Sequence, residues 1–159
     1  VLIYNKIFDL IKMQQKHNIF VVIMRKAYLT YEEFVSHFGT NPRRMEQIKN
    51  ALKYFSILYS CGCQFVYIDG SLASTKKNPE DIVMLFDVTG IDMIRLKKEF
   101  PQIFDVNQVG KIRRDELCHI FTFTRRRTKF LDMLSVDREN NPKGLVILKL
   151  KDIPFYDQK

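Results

Sequence analysis

The sequence predicts an α+β domain, a small mixed β-sheet with helices packed on it. Three observations predict it. Four short apolar runs have strand length: 65–69 (FVYID), 81–88 (DIVMLFDV), 117–123 (LCHIFTF) and 145–150 (LVILKL). Helical spacing with capping signals fills much of the stretch before the first of them. The helices are unequal and clustered early, whereas a doubly wound sheet would space them evenly between strands. The chain divides into an N-terminal helical extension (1–27), the main domain (28–153) and a loose tail (154–159).

Along the extension, Leu2, Ile3, Ile7, Leu10, Ile11 and, more loosely, Met13 are apolar, with Asn5, Lys6, Asp9, Lys12 and Lys16 between them. That spacing predicts an amphipathic helix over 2–17, a natural docking element at a terminus. The run 20–24 (FVVIM) reads as a strand or a buried connector. Thr30 followed by Glu33 is a capping-box pattern, in which each side chain satisfies the other's free backbone N–H. A short helix through Phe34 and Phe38 should follow and end at Gly39. Asn41-Pro42 supplies a cap and a first-turn proline for a longer helix, with Met45, Ile48, Leu52, Phe55, Ile57 and Leu58 on its apolar face. Cys61-Gly62-Cys63 breaks that helix.

The strand 65–69 runs into a tight Gly70-Ser71 turn, and Lys76, Lys77, Asn78 and Pro79 mark the loop 72–80. Residues 81–88 read as a central strand. Thr89 and Asp92 suggest another cap, for a helix reaching Phe100 before Pro101. After the strand 117–123, the basic stretch Arg125, Arg126, Arg127 and Lys129 leads into a helix ending near Leu134, and 145–150 is the last strand.

Composition narrows the class. With 46% hydrophobic and 28% charged residues, the chain has the balance of a soluble globular protein. No apolar run approaches the roughly 18 residues a membrane span needs. No small-residue cleavage site follows an apolar stretch, so no signal peptide is visible, and the opening Val1 leaves upstream residues open. Three cysteines (Cys61, Cys63, Cys118) without framework spacing suit a reducing compartment, so a cytoplasmic protein is expected. The net charge of +8, of which +5 falls in residues 1–64, favours phosphates or an acidic partner.

The segment from Phe65 to Val88 carries the chemistry. A Gly-Ser turn offers backbone N–H groups and a hydroxyl to a phosphate, and Lys76 and Lys77 add charge nearby. Carboxylates at alternate positions of the next strand share one face, so residues 81 and 83 are placed to hold Mg²⁺ against those phosphates.

Gly70-Ser71, nine intervening residues and then Asp81-Ile82-Val83 resemble the signature of the DNA polymerase β-type nucleotidyltransferase superfamily. More narrowly, the chain resembles minimal nucleotidyltransferase-like proteins of prokaryotes. The residues that carry this are Leu29-Thr30-Tyr31-Glu32-Glu33-Phe34, Arg43-Arg44, Ile68-Asp69-Gly70-Ser71, Lys76-Lys77-Asn78-Pro79-Glu80-Asp81 and the stretch from Asp137-Arg138 to Lys143-Gly144. The resemblance spans about residues 28–150. It implies a nucleotidyltransferase-like fold, nucleotide contacts at Gly70, Ser71, Lys76 and Lys77, a metal ligand at Asp81, and a setting in toxin–antitoxin or phage-defence pairs.

The departures from that pattern point away from catalysis. The pattern calls for a carboxylate at position 83, where this chain has valine, and for a third near Cys118-His119. Mg²⁺ wants oxygen ligands, so the loss of two should abolish tight binding. Asp87, six residues past Asp81, lies about 20 Å along the strand and is too far to substitute. The expectation is therefore a weak or inactive enzyme that binds a neighbour-encoded protein, with no cofactor. Two alternatives stay open: an active enzyme moving NMP from NTP to protein or RNA with Mg²⁺, Asp81 and an improvised His119 or Glu80, and a basic nucleic-acid-binding module. The basic patch Arg125, Arg126, Arg127 and Lys129 sits where a helix starts; such a run is more often solvated surface, and its conflict with the helix dipole keeps a phosphate or partner role open. A zinc site from Cys61, Cys63, Cys118 and His119 is the weakest reading, because Cys-Gly-Cys is poor zinc spacing.

Overall fold

The computed structural model describes residues 26–69, 72, 77–124 and 145–154. The helix expected over 2–17, the run 20–24, the Gly70-Ser71 turn, Lys76, the stretch from Arg125 to Gly144 and the tail beyond Pro154 lie outside the described residues.

The described elements run in the order β1 (Lys26–Leu29), α1 (Tyr31–Phe38), α2 (Pro42–Ser60), β2 (Phe65–Asp69), β3 (Ile82–Asp87), α3 (Met93–Glu99), a 3₁₀ turn (Pro101–Phe104), α4 (Val106–Glu116), β4 (Cys118–Phe123) and β5 (Leu145–Lys149). The fold is α+β, with four helices and one mixed sheet of strand order β1-β5-β2-β3-β4. β2 runs antiparallel to both its neighbours, whereas β1 with β5 and β3 with β4 are parallel pairs. Strand 82–87 is thus interior but not central; β2 holds the middle.

Local signals set the helices as expected. The Thr30 side chain accepts from the Glu33 N–H at 3.2 Å, and Glu33 accepts in return from the Thr30 N–H at 2.8 Å, so the capping box closes. Asn41 caps α2 by accepting from the Arg44 N–H, with Pro42 in the first turn. Gly39 separates the two helices by necessity: a Cβ there would stand 2.7 Å from the Val35 carbonyl oxygen. Gly62, just past the cap of α2 at Cys61, has a φ of 95°, which only glycine adopts without strain.

Strand residues such as Val66, Ile68, Met84 and Leu148 form one core cluster with Phe34, Phe55, Leu96 and Ile112 from the four helices. The buried face of α2 is turned from the one expected. Ile48, Phe55 and Leu58 are buried as read, but Ala51, Tyr54, Arg44 and Gln47 join them, while Met45, Leu52 and Ile57 sit at the margins. Apolar residues alone do not define this stripe, because the loop before β3 gives the two polar side chains partners.

One strand and one α-helix among the described residues were not anticipated. β1 takes in the last residues of the expected extension and pairs with β5, from Lys26 opposite Leu145 to Leu29 opposite Leu148. α4 buries only Ile112, so its apolar periodicity is too faint to read, and Gly110 lies inside it. Its one local sign is Asp105, whose side chain accepts from the N–H groups of Asn107 and Gln108. Among the described residues no helix is long and apolar enough to cross a membrane.

Candidate functional site

Paired residues of a sheet project to the same face. Asp69 of β2 lies opposite Val83 of β3, and Val83 lies opposite His119 of β4. One row across the sheet therefore reads Asp69, Val83, His119, and all three are half-buried. The position that sequence reasoning marked for a second carboxylate is an isopropyl group between an acid and an imidazole. The position marked for the third is His119, whose ring stacks on Phe121 with centroids 4.0 Å apart. Cys118, its neighbour, is fully buried, and burial pushes its thiol up to about 12. At neutral pH it is a protonated thiol.

Asp81 precedes β3 and is buried, with a carboxylate oxygen 2.7 Å from the Arg113 Nε. The fold makes this pair through one unusual residue. Leu117 ends α4 in the left-handed conformation, φ 59°, and its carbonyl accepts from the Ile82 N–H at 2.8 Å. That bond pins the end of α4 to the head of β3 and brings Arg113 to Asp81. Sequence reasoning missed Arg113, since the two residues lie 32 positions apart in a pairing that only the β3–β4 crossover creates.

His119 feels the same pair. Burial first, and then the Arg113 charge, push its pKa below the ordinary histidine value, with Asp81 opposing. The folded protein therefore takes up this proton less readily than the unfolded chain, and stability should decline as pH falls through about 6.5. Urea midpoints measured between about pH 7 and 5.5 should drop in the native protein and drop less in His119→Asn.

The loop between β2 and β3 is held from α2. Asn41 Nδ2 donates to the Lys77 carbonyl at 2.7 Å, an Arg44 guanidinium N–H to the Leu72 carbonyl at 2.7 Å, and Gln47 Nε2 to the Pro79 carbonyl at 2.9 Å. These donors stand at i, i+3 and i+6, one side of a helix. Arg44 and Gln47 are buried, and Arg44 also reaches the Phe38 carbonyl at 3.4 Å. Their spacing was the signal available in the sequence. The carbonyls of Leu72, Lys77 and Pro79 are thus each oriented from the helix.

Of the residues read as nucleotide-binding, Lys77 is described and exposed, while Gly70, Ser71 and Lys76 lie outside the described residues, as do Arg125, Arg126, Arg127 and Lys129. Among the described residues no three His, Cys, Asp or Glu side chains are placed to hold a metal ion. The three cysteines of the zinc reading, Cys61, Cys63 and Cys118, are buried free thiols, and burial pushes Cys63 up to about 11.

Searches of curated proteins and of solved structures return no match. A family of unknown function, DUF6932, matches residues 13–149. That match takes in most of the chain, α1 through β5 included, and the protein belongs to this family.

Proposed function

We propose that this chain is a catalytically impaired nucleotidyltransferase-like protein that acts by binding another protein, in a toxin–antitoxin or phage-defence type of system. The observation that supports this most is the row Asp69–Val83–His119. A β2–loop–β3 unit of the expected order is present, yet a hydrocarbon side chain stands at its centre where a divalent ion would need oxygen. Asp81, the one acid left in the expected place, is neutralised by Arg113. Nucleotidyl transfer draws on metal charge to stabilise the developing phosphate charge, and this arrangement gives such a metal little to hold. Three free, buried thiols support a reducing, cytoplasmic setting.

One arrangement favours a second reading. Asp69 and His119 flank Val83 on its own face, so an acid and an imidazole are both near the place a metal would occupy in an active enzyme. Incubation with labelled NTPs in Mg²⁺ and in Mn²⁺ separates the two. The proposal expects no label on protein or RNA, and Asp81→Ala is expected to keep the biological effect. Label that appears with either metal and vanishes in Asp81→Ala would establish the enzyme.

A further inference from the structure

The described helices account for one face of the sheet. Alternate residues of a strand point to opposite sides, so Val66, Ile68, Met84 and Leu148 share the face on which the helices pack. The other face holds a continuous row that the strand pairings fix residue by residue: Tyr28, Ile147, Tyr67, Leu85 and Phe121, one from each strand. It is also the face of Asp69, Val83 and His119. Leu85 and Ile147 are 0% and 1% exposed, yet neither belongs to the cluster that the helices form with the sheet. The four helices put their buried apolar residues into that cluster, on the opposite side, so something else shields this row.

Topology names the occupant. β4 and β5 are parallel, because β2 is antiparallel to both β5 and β3, and β3 is parallel to β4. After Phe123 the chain must return to the end of the sheet where β4 began and pass over β3 and β2 to reach Leu145. Crossovers between parallel strands of one sheet are right-handed in about 98% of cases. The β3–β4 crossover moves toward the β4 edge and lies on the helical face, since Leu96 of α3 and Ile112 of α4 belong to the core cluster. The β4–β5 crossover travels the opposite way along the strand order. Two right-handed crossovers that travel in opposite directions lie on opposite faces. Residues 124–144 suffice in length, since such a connection needs about a dozen residues or more. They include Phe130, Leu131, Met133 and Leu134, apolar material for covering the row. The residues before Lys26 join the sheet at its β1 edge, and no crossover directs them to either face.

We infer that the face bearing Tyr67, Leu85 and Ile147 is the docking surface of the chain's own segment 124–144. This goes beyond the partner-binding reading above and does not rest on it. It removes the centre of the face from the surfaces that a partner protein could use.

The test is photo-cross-linking in the whole chain, with the photoreactive residue p-benzoylphenylalanine in place of Tyr67. Native circular dichroism and an unchanged urea midpoint qualify the variant. Phe65 is on the same face and 41% exposed, so the same replacement there serves if the Tyr67 variant does not fold. Irradiation should join the photoreactive group to a peptide from 124–144 of the same molecule, in a product that runs as a monomer. The same group at Ile94, exposed on α3, should give no such product. A link from the sheet face to residues 1–25, or a covalent dimer, would overturn the inference by assigning the face to another occupant. So would complete peptide coverage with no link into 124–144, or an equal yield from Ile94.

Discussion

Replacing Phe55 by alanine is expected to lower the unfolding free energy by about 3–5 kcal/mol. Phe55 lies in the C-terminal half of α2, is fully buried, and belongs to the cluster that joins the helices to the sheet. Removing the ring forfeits its transfer free energy and leaves a cavity that a two-layer packing fills only in part. A domain of this size has about 5–15 kcal/mol to lose, so the variant should be close to unfolding at 37 °C. The chain has no Trp, so the measurement is urea unfolding followed by far-UV circular dichroism. A midpoint within experimental error of the native one would show that α2 does not organise this core.

Arg44→Ala should cost about 2–4 kcal/mol, unusual for a substitution of a charged side chain. Arg44 is 4% exposed and donates to the Leu72 and Phe38 carbonyls, so alanine leaves buried acceptors without a donor. Arg44→Lys should restore it only in part, because one guanidinium nitrogen reaches both carbonyls and an ammonium on a shorter stem is more strongly hydrated and costlier to bury. The loop should also open locally, which limited trypsin cleavage after Lys77 would register well before global unfolding. If cleavage and stability both stay native in Arg44→Ala, the helix-to-loop clamp is not what holds the β2–β3 connection.

What the sequence made legible was local. The Thr30–Glu33 capping box, the Asn41-Pro42 start and the Asp92 cap are settled within a few residues, and the structure has all three. Strands β2, β3 and β5 were legible because their apolar runs are long enough and bounded by turn residues. α4 was not, because it buries one side chain and its stability comes from docking on β4 and the 3₁₀ turn. The absent carboxylate at Val83 was plain from the sequence. That Asp69 and His119 flank it was not, since register between strands depends on pairing partners that no single segment specifies. Arg113 and the donors to the loop carbonyls were hidden for the same reason: each is a contact between elements distant along the chain.

The strand order has a bearing on how the chain is made. β5 is wedged between β1 and β2, so the first two of the described strands to be synthesised do not pair with each other in the native arrangement. Until Leu145–Lys149 arrives, β1 lacks its native strand partner among the described residues, and one side of β2 offers open N–H and C=O groups. Closing that gap demands contacts across more than a hundred residues, a pattern that slows folding and prolongs the exposure of sticky strand margins. A protein assembled in this order gains from company early in its life, before its last strand has slotted home.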